Sequence, residues 1–206
     1  MILIGLSGAA GSGKNYVADQ IVAKYGNVKQ LAFADPLKQV VHHMFGIPLE
    51  DCYTEAGKNK FTWVKWHDVH IWRDECRNDQ HWPHKADDRM TVRDLLQWIG
   101  TDLVRYNWSE NHWVNLAEQR IRNSPEDVVV VTDVRFENEA NLVTAMGGTV
   151  LKVVGRAAPG VPQHVSEQGK FYVAGMIDNS EGRTASQLTE QVEAFVHGLD
   201  RVTSRC

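Results

Sequence analysis

The chain has 206 residues, of which 43% are hydrophobic and 23% are charged, and its net charge is −4. This composition is typical of a soluble globular protein with one substantial core, and it disfavours a nucleic-acid-binding protein, in which a basic excess is expected. No apolar stretch approaches the ~20 residues of a membrane span, the N-terminal apolar run is too short for a signal peptide, and the few cysteines favour a reducing, cytoplasmic location.

The first predicted elements form a phosphate-binding unit. Residues 1–6 (MILIGL) predict a buried strand and residues 15–25 an amphipathic helix, and the segment between them, GAAGSGK, fits the pattern G-x-x-x-x-G-K. In this context the loop N–H groups and the helix dipole attract an anion, and Lys14 is placed to reach the β- and γ-phosphates of a nucleotide. The alternative is an ordinary glycine-rich turn with a surface lysine. Asn15 stands where the motif has Ser or Thr, and its carbonyl can ligate magnesium or hold one of its waters.

Further strands and helices alternate along the chain. Strands are predicted at 29–34, where Asp35-Pro36 ends the run, and at 128–132, 149–154 and 176–178, with helices over 136–146 and 184–199. The apolar run VVVVT at 128–132 is typical of a central parallel strand. The pattern predicts an α/β fold, a doubly wound and mostly parallel sheet of about five strands. Ligands bind beyond the carboxyl ends of such strands, so we expect Lys14, Asp35, Asp133 and Arg156 to converge there.

The sequence predicts a single domain with a core of residues 1–34 and 127–206 and an insert of residues 35–126. A helix within the insert is predicted over 91–105, capped by Thr91, with an apolar face of Val92, Leu95, Leu96, Ile99 and Leu103. A polar stripe runs along another face of this helix: Arg93, Gln97, Thr101 and Arg105. The stripe is either a solvated surface or, as we prefer beside a phosphate site, a substrate-binding face, because arginine pairs bidentately with phosphate.

Two segments allow more than one interpretation. Residues 155–172 are rich in Gly and Pro and follow a strand end, which predicts either a mobile lid or a plain surface loop. Residues 61–84 are rich in Trp and His, and Cys76, His81 and His84 within them raise the alternative of a zinc site. The cysteine pairs of a structural zinc site are absent, so we favour aromatic packing and lining of an acceptor pocket.

Five blocks of the sequence resemble the deoxynucleoside monophosphate kinases of tailed bacteriophages. They are SGAAGSGKN (7–15), FADPLK (33–38), TVRDLLQWIGTDLVR (91–105), VVVVTDVRFENEA (128–140) and AMGGTVLKVVGR (145–156), with a weaker block HVSEQG (164–169) followed by Asp178-Asn179. GTDL and TDVR are the most specific of these, and residues 50–88 carry no match. The resemblance implies a P-loop kinase fold with a helical acceptor-binding insert and a short lid.

The resemblance also implies the reaction and its residues. ATP and a deoxynucleoside monophosphate (dNMP) would give ADP and the diphosphate for phage DNA synthesis, with magnesium as cofactor. The resemblance assigns catalytic roles to Lys14, Asp35, Asp133 and Arg135. It assigns magnesium contacts to Asn15 and Asp133. The implied ATP-binding residues are Gly8, Ala10, Gly11, Ser12, Gly13, Lys14, Asn15, Tyr16, Arg156 and Asn179. The dNMP-binding positions are Asp35, Lys38, Arg93, Gln97, Thr101, Asp102, Arg105 and Trp113.

Three alternatives stay open from the sequence. The first is a kinase of another small phosphorylated acceptor, similar to phosphomevalonate kinase or dephospho-coenzyme A kinase. The second is a P-loop ATPase or nucleotide-gated module without an acceptor, and the third is a zinc-stabilised interaction module. The expected partners are small-molecule substrates, with no nucleic acid and no membrane, in the cytoplasm of a bacterial host if a phage encodes the chain. The oligomeric state, a homodimer included, is left open.

Overall fold

The computed structural model describes residues 1–72, 88–155 and 171–203. They fall into two compact units, a first unit of residues 1–33 and those from 114 onward, and a second unit of residues 34–113. The sequence predicts an insert that ends at residue 126, whereas the second unit ends at residue 113. The reason is that Val114, Ala117 and Ile121 turn into a core cluster of the first unit.

The helices and strands of the described residues are numbered in chain order. The strands are β1 (Ile2–Ser7), β2 (Val28–Leu31), β3 (Phe61–Lys65), β4 (Arg89–Thr91), β5 (Val128–Val134), β6 (Thr149–Val154) and β7 (Gly175–Asp178). The helices are α1 (Lys14–Tyr25), α2 (Asp35–Phe45), α3 (Glu55–Lys58), α4 (Val92–Gln97), α5 (His112–Arg122), α6 (Glu137–Ala145) and α7 (Ala185–Thr203). No helix in these ranges combines the length and apolar character needed to cross a membrane.

The first unit is built on a five-stranded parallel sheet in the order β2-β5-β1-β6-β7, which confirms the predicted α/β architecture. Successive residues of the strands alternate between two cores, since side chains along a strand point to opposite faces. One core packs α1 and α7 against Ile4 and Val130, and the other packs α5 and α6 against Leu3 and Val129. Helices therefore cover both faces, and the sheet is doubly wound.

The second unit combines helices with a two-stranded antiparallel sheet of β3 and β4. Its first helix corrects one prediction, because β2 already ends at Leu31 and Asp35-Pro36 begin α2. Proline is favoured at the start of a helix, where its missing N–H costs nothing. Thr91 caps α4 as predicted, and its hydroxyl accepts the N–H of Asp94 at 3.1 Å.

The helix predicted over 91–105 changes its hydrogen bonding midway. After α4 the chain continues as a π-helix from Trp98 to Tyr106. In a π-helix each N–H bonds five residues back, so the side chains that follow are turned about the axis relative to a continuous α-helix. Thr101 and Arg105 are consequently buried, at 6% and 5% exposure, and the predicted polar stripe does not form one exposed face.

Candidate active site

The phosphate loop, residues 8–13, connects β1 to α1 in the first unit. Lys14 is the first residue of α1, and its ammonium group donates hydrogen bonds to the carbonyl oxygens of Gly8 and Ala9, both at 2.8 Å. The side chain is thus folded back over its own loop, at the positive end of the helix dipole. This arrangement concentrates positive charge at the mouth of the loop, where an anion would bind.

Two glycines of the loop are required by both conformation and space. Gly8 and Gly13 have φ angles of +143° and +88°, in a region that L side chains rarely adopt. A Cβ atom at Gly8 would meet the carbonyl oxygen of Val153, and one at Gly13 would meet the side-chain amide of Asn179. Strand β6 and the segment after β7 therefore press directly on the loop and fix its shape.

Asn179 shapes the loop from the far edge of the sheet. It is fully buried directly after β7, and its Nδ2 donates to the carbonyl oxygen of Ser12 at 2.9 Å. The Ser12 hydroxyl is also buried, and it has no hydrogen-bond partner among the described residues. The sequence places Asn179 in the ATP-binding set, and the structure brings it to the loop through this backbone contact. Asn15 and Tyr16, at the start of α1, are exposed.

Asp133 lies near the end of β5, which pairs with β1 next to the phosphate loop. Its Oδ1 accepts the backbone N–H of Phe33 at 2.7 Å. The N-terminal end of α6 is capped by Glu139, whose carboxylate accepts the N–H groups of Arg135 and Phe136 at 2.8 and 3.1 Å. The backbone just beyond β2 therefore holds the carboxylate of Asp133.

The donor set beside the loop fits magnesium. A carboxylate has about four lone-pair positions, so it can accept several hydrogen bonds or metal contacts at once. Magnesium takes oxygen ligands and is commonly held by one or two carboxylates together with substrate phosphates. Asn15 and Asp133 supply an amide oxygen and a carboxylate of that kind. In residues 1–72, 88–155 and 171–203 no group of three or more His, Cys, Asp or Glu side chains is arranged to hold a metal ion.

Arg120 lies on α5, and no pattern in the sequence singles it out. Its Nη1 donates to the carbonyl oxygen of Ala32 at 3.0 Å, one residue before the N–H that Asp133 accepts. Arginines on a helix that packs against a core are usually assigned to the surface. The contact becomes visible only in the folded structure, where α5 lies against the end of β2.

In the second unit Asp35 and Lys38 form a cluster with Tyr53, a residue that the sequence did not suggest. Asp35 Oδ1 accepts hydrogen bonds from Lys38 Nζ at 3.2 Å and from the Tyr53 hydroxyl at 3.1 Å. The Lys38 ammonium also lies 3.8 Å from the centroid of the Tyr53 ring. The tyrosine thus contacts both charged partners, one through its hydroxyl and the other through its ring face.

The predicted acceptor residues on α4 and the π-helix lie in different surroundings. Arg93 Nη2 donates to Glu55 Oε2 at 2.5 Å, and Gln97 ends α4 in a half-buried position. Arg105 is buried, and its Nη1 donates to the carbonyl oxygen of Glu110 at 3.2 Å. Trp113 is also buried, and its indole N–H donates to the Gly100 carbonyl at 2.9 Å.

Asp102, on the π-helix of the second unit, has a buried carboxyl group. Its Oδ2 is buried and has no hydrogen-bond partner in the described part of the chain. Burial raises the pKa of Asp102 to about 6, because the charged form loses its hydration. The same burial effect, followed by the charge of Asp102, raises the pKa of Tyr106.

Several predicted residues lie outside the described ranges. They are Arg156, most of the predicted lid at 155–172, and the candidate zinc ligands Cys76, His81 and His84.

The parallel doubly wound sheet, with a phosphate loop after β1 and a carboxylate near the end of the neighbouring strand, defines a P-loop kinase fold. The sequence profile of the deoxynucleotide monophosphate kinase family matches residues 50–183, about two thirds of the chain. The chain belongs to this family. The match also includes residues 50–88, for which the sequence blocks alone gave no counterpart.

Individual relatives agree with this assignment. A relative from Acanthamoeba polyphaga mimivirus is 29% identical over 74% of this chain and 74% of its own length. The deoxynucleoside-5'-monophosphate kinase of Escherichia phage T5 is 28% identical over 69% of this chain and 71% of its own length. The deoxynucleotide monophosphate kinase of Enterobacteria phage T4 is 26% identical over 82% of this chain and 88% of its own length.

Proposed function

We propose that this chain is an ATP-dependent deoxynucleoside monophosphate kinase that converts ATP and a dNMP into ADP and the deoxynucleoside diphosphate. The observation that carries the proposal is the phosphate loop with Lys14 folded over it, beside the backbone-held carboxylate of Asp133, in a chain of this family. An oxygen of the acceptor phosphate attacks the γ-phosphorus, and the bond from that phosphorus to the β–γ bridging oxygen breaks. The acceptor phosphate is already anionic, so no general base is required.

Phosphoryl transfer depends on positioning and charge neutralisation more than on covalent chemistry. Lys14 is proposed to exchange its carbonyl partners for oxygens of the β- and γ-phosphates. A lysine suits this exchange because its ammonium is a point charge on a flexible stem. Bound magnesium would neutralise charge on the same phosphates, and Asn15 and Asp133 would hold it. Arg135, directly after β5, is proposed to contact a phosphate group as well.

The second unit is proposed to bind the acceptor. Asp35, Lys38 and Arg93 supply its charged contacts; Asp35 accepts hydrogen bonds from Lys38 and Tyr53, and Arg93 pairs with Glu55. Arg105, Thr101 and Trp113 are buried, so their proposed contribution is to shape the pocket rather than to pair with phosphate from an exposed face. Substrates in this scheme are small molecules, and the place of action would be the cytoplasm of the host cell.

A coupled assay of ADP release tests the proposal. The purified chain is incubated with ATP, magnesium and each of the four common dNMPs, and the nucleotide products are resolved by chromatography. We expect ADP and a deoxynucleoside diphosphate in equal amounts with at least one acceptor, and ribonucleoside monophosphates are run beside them to measure sugar selectivity. The variant Lys14→Ala serves as the inactive control.

Two results would contradict the proposal. ADP release that is equal with and without any acceptor would identify an ATPase. Transfer to phosphomevalonate or dephospho-coenzyme A, with none to any dNMP, would place the chain with a different class of acceptor. Both compounds therefore belong in the panel.

A further inference from the structure

One peptide group in the first unit is hydrogen-bonded at both ends by charged side chains. It is the peptide between Ala32 and Phe33, directly beyond β2. Arg120 Nη1 donates to its carbonyl oxygen at 3.0 Å, and its N–H donates to Asp133 Oδ1 at 2.7 Å. A cation and an anion thus contact the same peptide from opposite ends, since the C=O and N–H of a trans peptide point in opposite directions.

The two hydrogen bonds reinforce each other. Each has one charged partner, and such bonds are shorter and stronger than bonds between neutral groups. The cation draws electron density toward the carbonyl oxygen, which makes the N–H of the same peptide a better donor to the carboxylate. Removing the guanidinium therefore weakens the bond from the Phe33 N–H to Asp133.

Arg120 is attached to a rigid part of the fold. Its helix α5 packs into the sheet through Ala117 and Ile121, and Ile121 has no exposed surface. Arg122, two residues further along, pairs instead with Glu118 on the same helix at 2.7 Å, and its side chain is 65% exposed. The chain therefore provides a matched arginine on the same helix that does not contact the peptide in question.

We propose that Arg120 is a positioning residue, which acts through the Ala32–Phe33 peptide to fix the carboxylate of Asp133 beside the phosphate loop. Nothing in the family resemblance singled out this residue. The effect on turnover rests on the proposed kinase function, but the structural link does not. The competing explanation is that Arg120 only satisfies the buried carbonyl of Ala32. A double-mutant cycle separates these two explanations.

The first experiment measures hydrogen exchange of the Phe33 amide by NMR in the protein without nucleotide. Arg120→Met keeps an unbranched stem and good helix propensity, and Arg122→Met is the control. We expect exchange at Phe33 to rise about tenfold in Arg120→Met, as a weakened amide bond requires, and to stay unchanged in Arg122→Met. Equal exchange rates in the two variants would overturn the proposal, whatever the activity of the protein.

The second experiment measures turnover in a double-mutant cycle of Arg120→Met and Asp133→Asn. We expect Arg120→Met alone to lower kcat about tenfold, and to lower it by less than about twofold once Asp133 is already Asn, because both changes then act on one contact. Arg120→Lys, which keeps a cationic donor, should recover part of the loss. Additive losses would show that Arg120 does not act through Asp133. Failure of the proposed function would look different, since the unmodified protein would then form no diphosphate with any acceptor.

Discussion

The charged groups proposed to contact the substrates are held in different ways in the two units. In the first unit the backbone holds them: Lys14 donates to two loop carbonyls, and Asp133 accepts a peptide N–H. In the second unit side chains hold each other, as in the pairs of Asp35 with Lys38 and of Arg93 with Glu55. Backbone partners are fixed by the fold, whereas partner side chains can rotate away. We therefore expect the first unit to supply fixed positions for the chemistry and the second to supply contacts that adjust to a ligand.

Lys14→Ala should have the largest effect. The ammonium neutralises charge that develops on the transferred phosphoryl group, and removing one such group costs about 10³-fold in kcat. The folded structure should survive, because the two carbonyl oxygens that the Lys14 ammonium contacts belong to its own loop. Lys24→Ala is the control on the same helix, since its ammonium pairs with Glu193 and is 51% exposed. Turnover by Lys14→Ala within a factor of a few of the unmodified protein, with normal circular dichroism, would break the assignment of the loop.

Asp102→Asn tests the second unit at a buried carboxyl, whose Oδ2 has no hydrogen-bond partner among the described residues. Burial raises the pKa of Asp102 from 3.8 to about 6, so the folded state binds the proton more tightly than the unfolded state does. Stability from this group is therefore present at low pH and is lost as pH rises from about 4 to about 6. Above that range the buried carboxylate costs at most ~3 kcal/mol, which the neutral amide avoids. We expect the melting temperature of Asp102→Asn to exceed that of the unmodified protein at pH 7.5, and by less at pH 5.

Asp178, in the first unit, serves as a control because its pKa is lowered, whereas that of Asp102 is raised. Hydrogen bonds from Ser180 and Arg183 lower the pKa of Asp178 to about 2, so its stabilising contribution is lost only as the pH falls through that value. Asp178→Asn should therefore lower the melting temperature equally at pH 5 and pH 7.5. An Asp102→Asn variant with the same melting temperature as the unmodified protein at both pH values would show that this carboxyl is hydrated, and the contrast between the units would weaken.

Arg93→Ala should raise the KM for the dNMP by about tenfold, the size expected for one charge-assisted contact, with little change in the KM for ATP. Arg89→Ala is the control, because Arg89 is an exposed residue of β4, the strand just before the helix. Because Arg93 is already paired with Glu55, acceptor phosphate must compete with that carboxylate. A loss of ATP affinity without a loss of acceptor affinity would mean that the two units have been assigned to the wrong substrates.

The comparison also explains which features could be predicted from sequence. The phosphate loop and the strands could be predicted because GAAGSGK and VVVVT are local sequence patterns. All five predicted strands are present in the sheet. The contacts of the second unit are not local. Glu55 and Arg93 are 38 residues apart in the chain, and no pattern connects them. The contact between Arg120 and Ala32 could not be predicted for the same reason, because 88 residues separate them in the chain.

The π-helix is a second kind of feature that the sequence conceals. The apolar spacing of residues 91–105 fits a continuous α-helix, and only from Trp98 onward does the hydrogen bonding change. Apolar positions four residues apart, such as Ile99 and Leu103, lie near one face in either kind of helix, so their spacing does not reveal where the wider π turns begin. Thr101 and Arg105 are therefore buried where the sequence predicts a polar face.

Tyr53→Phe is the smallest of the expected effects, and it tests whether the side-chain cluster of the second unit orients the acceptor. The change removes the hydroxyl that donates to Asp35 and keeps the ring beneath the Lys38 ammonium. Because Tyr53 is 46% exposed, its hydrogen bond should be worth under ~1 kcal/mol, or about a threefold rise in the KM for the dNMP. Tyr53→Leu also removes the ring face and should raise that KM further, while Tyr172→Phe, at an 81% exposed position of the first unit, should change nothing. If Tyr53→Phe and Tyr53→Leu both leave the KM for the dNMP unaltered, Asp35 and Lys38 keep their positions without the tyrosine, and the second unit would be as rigid as the first.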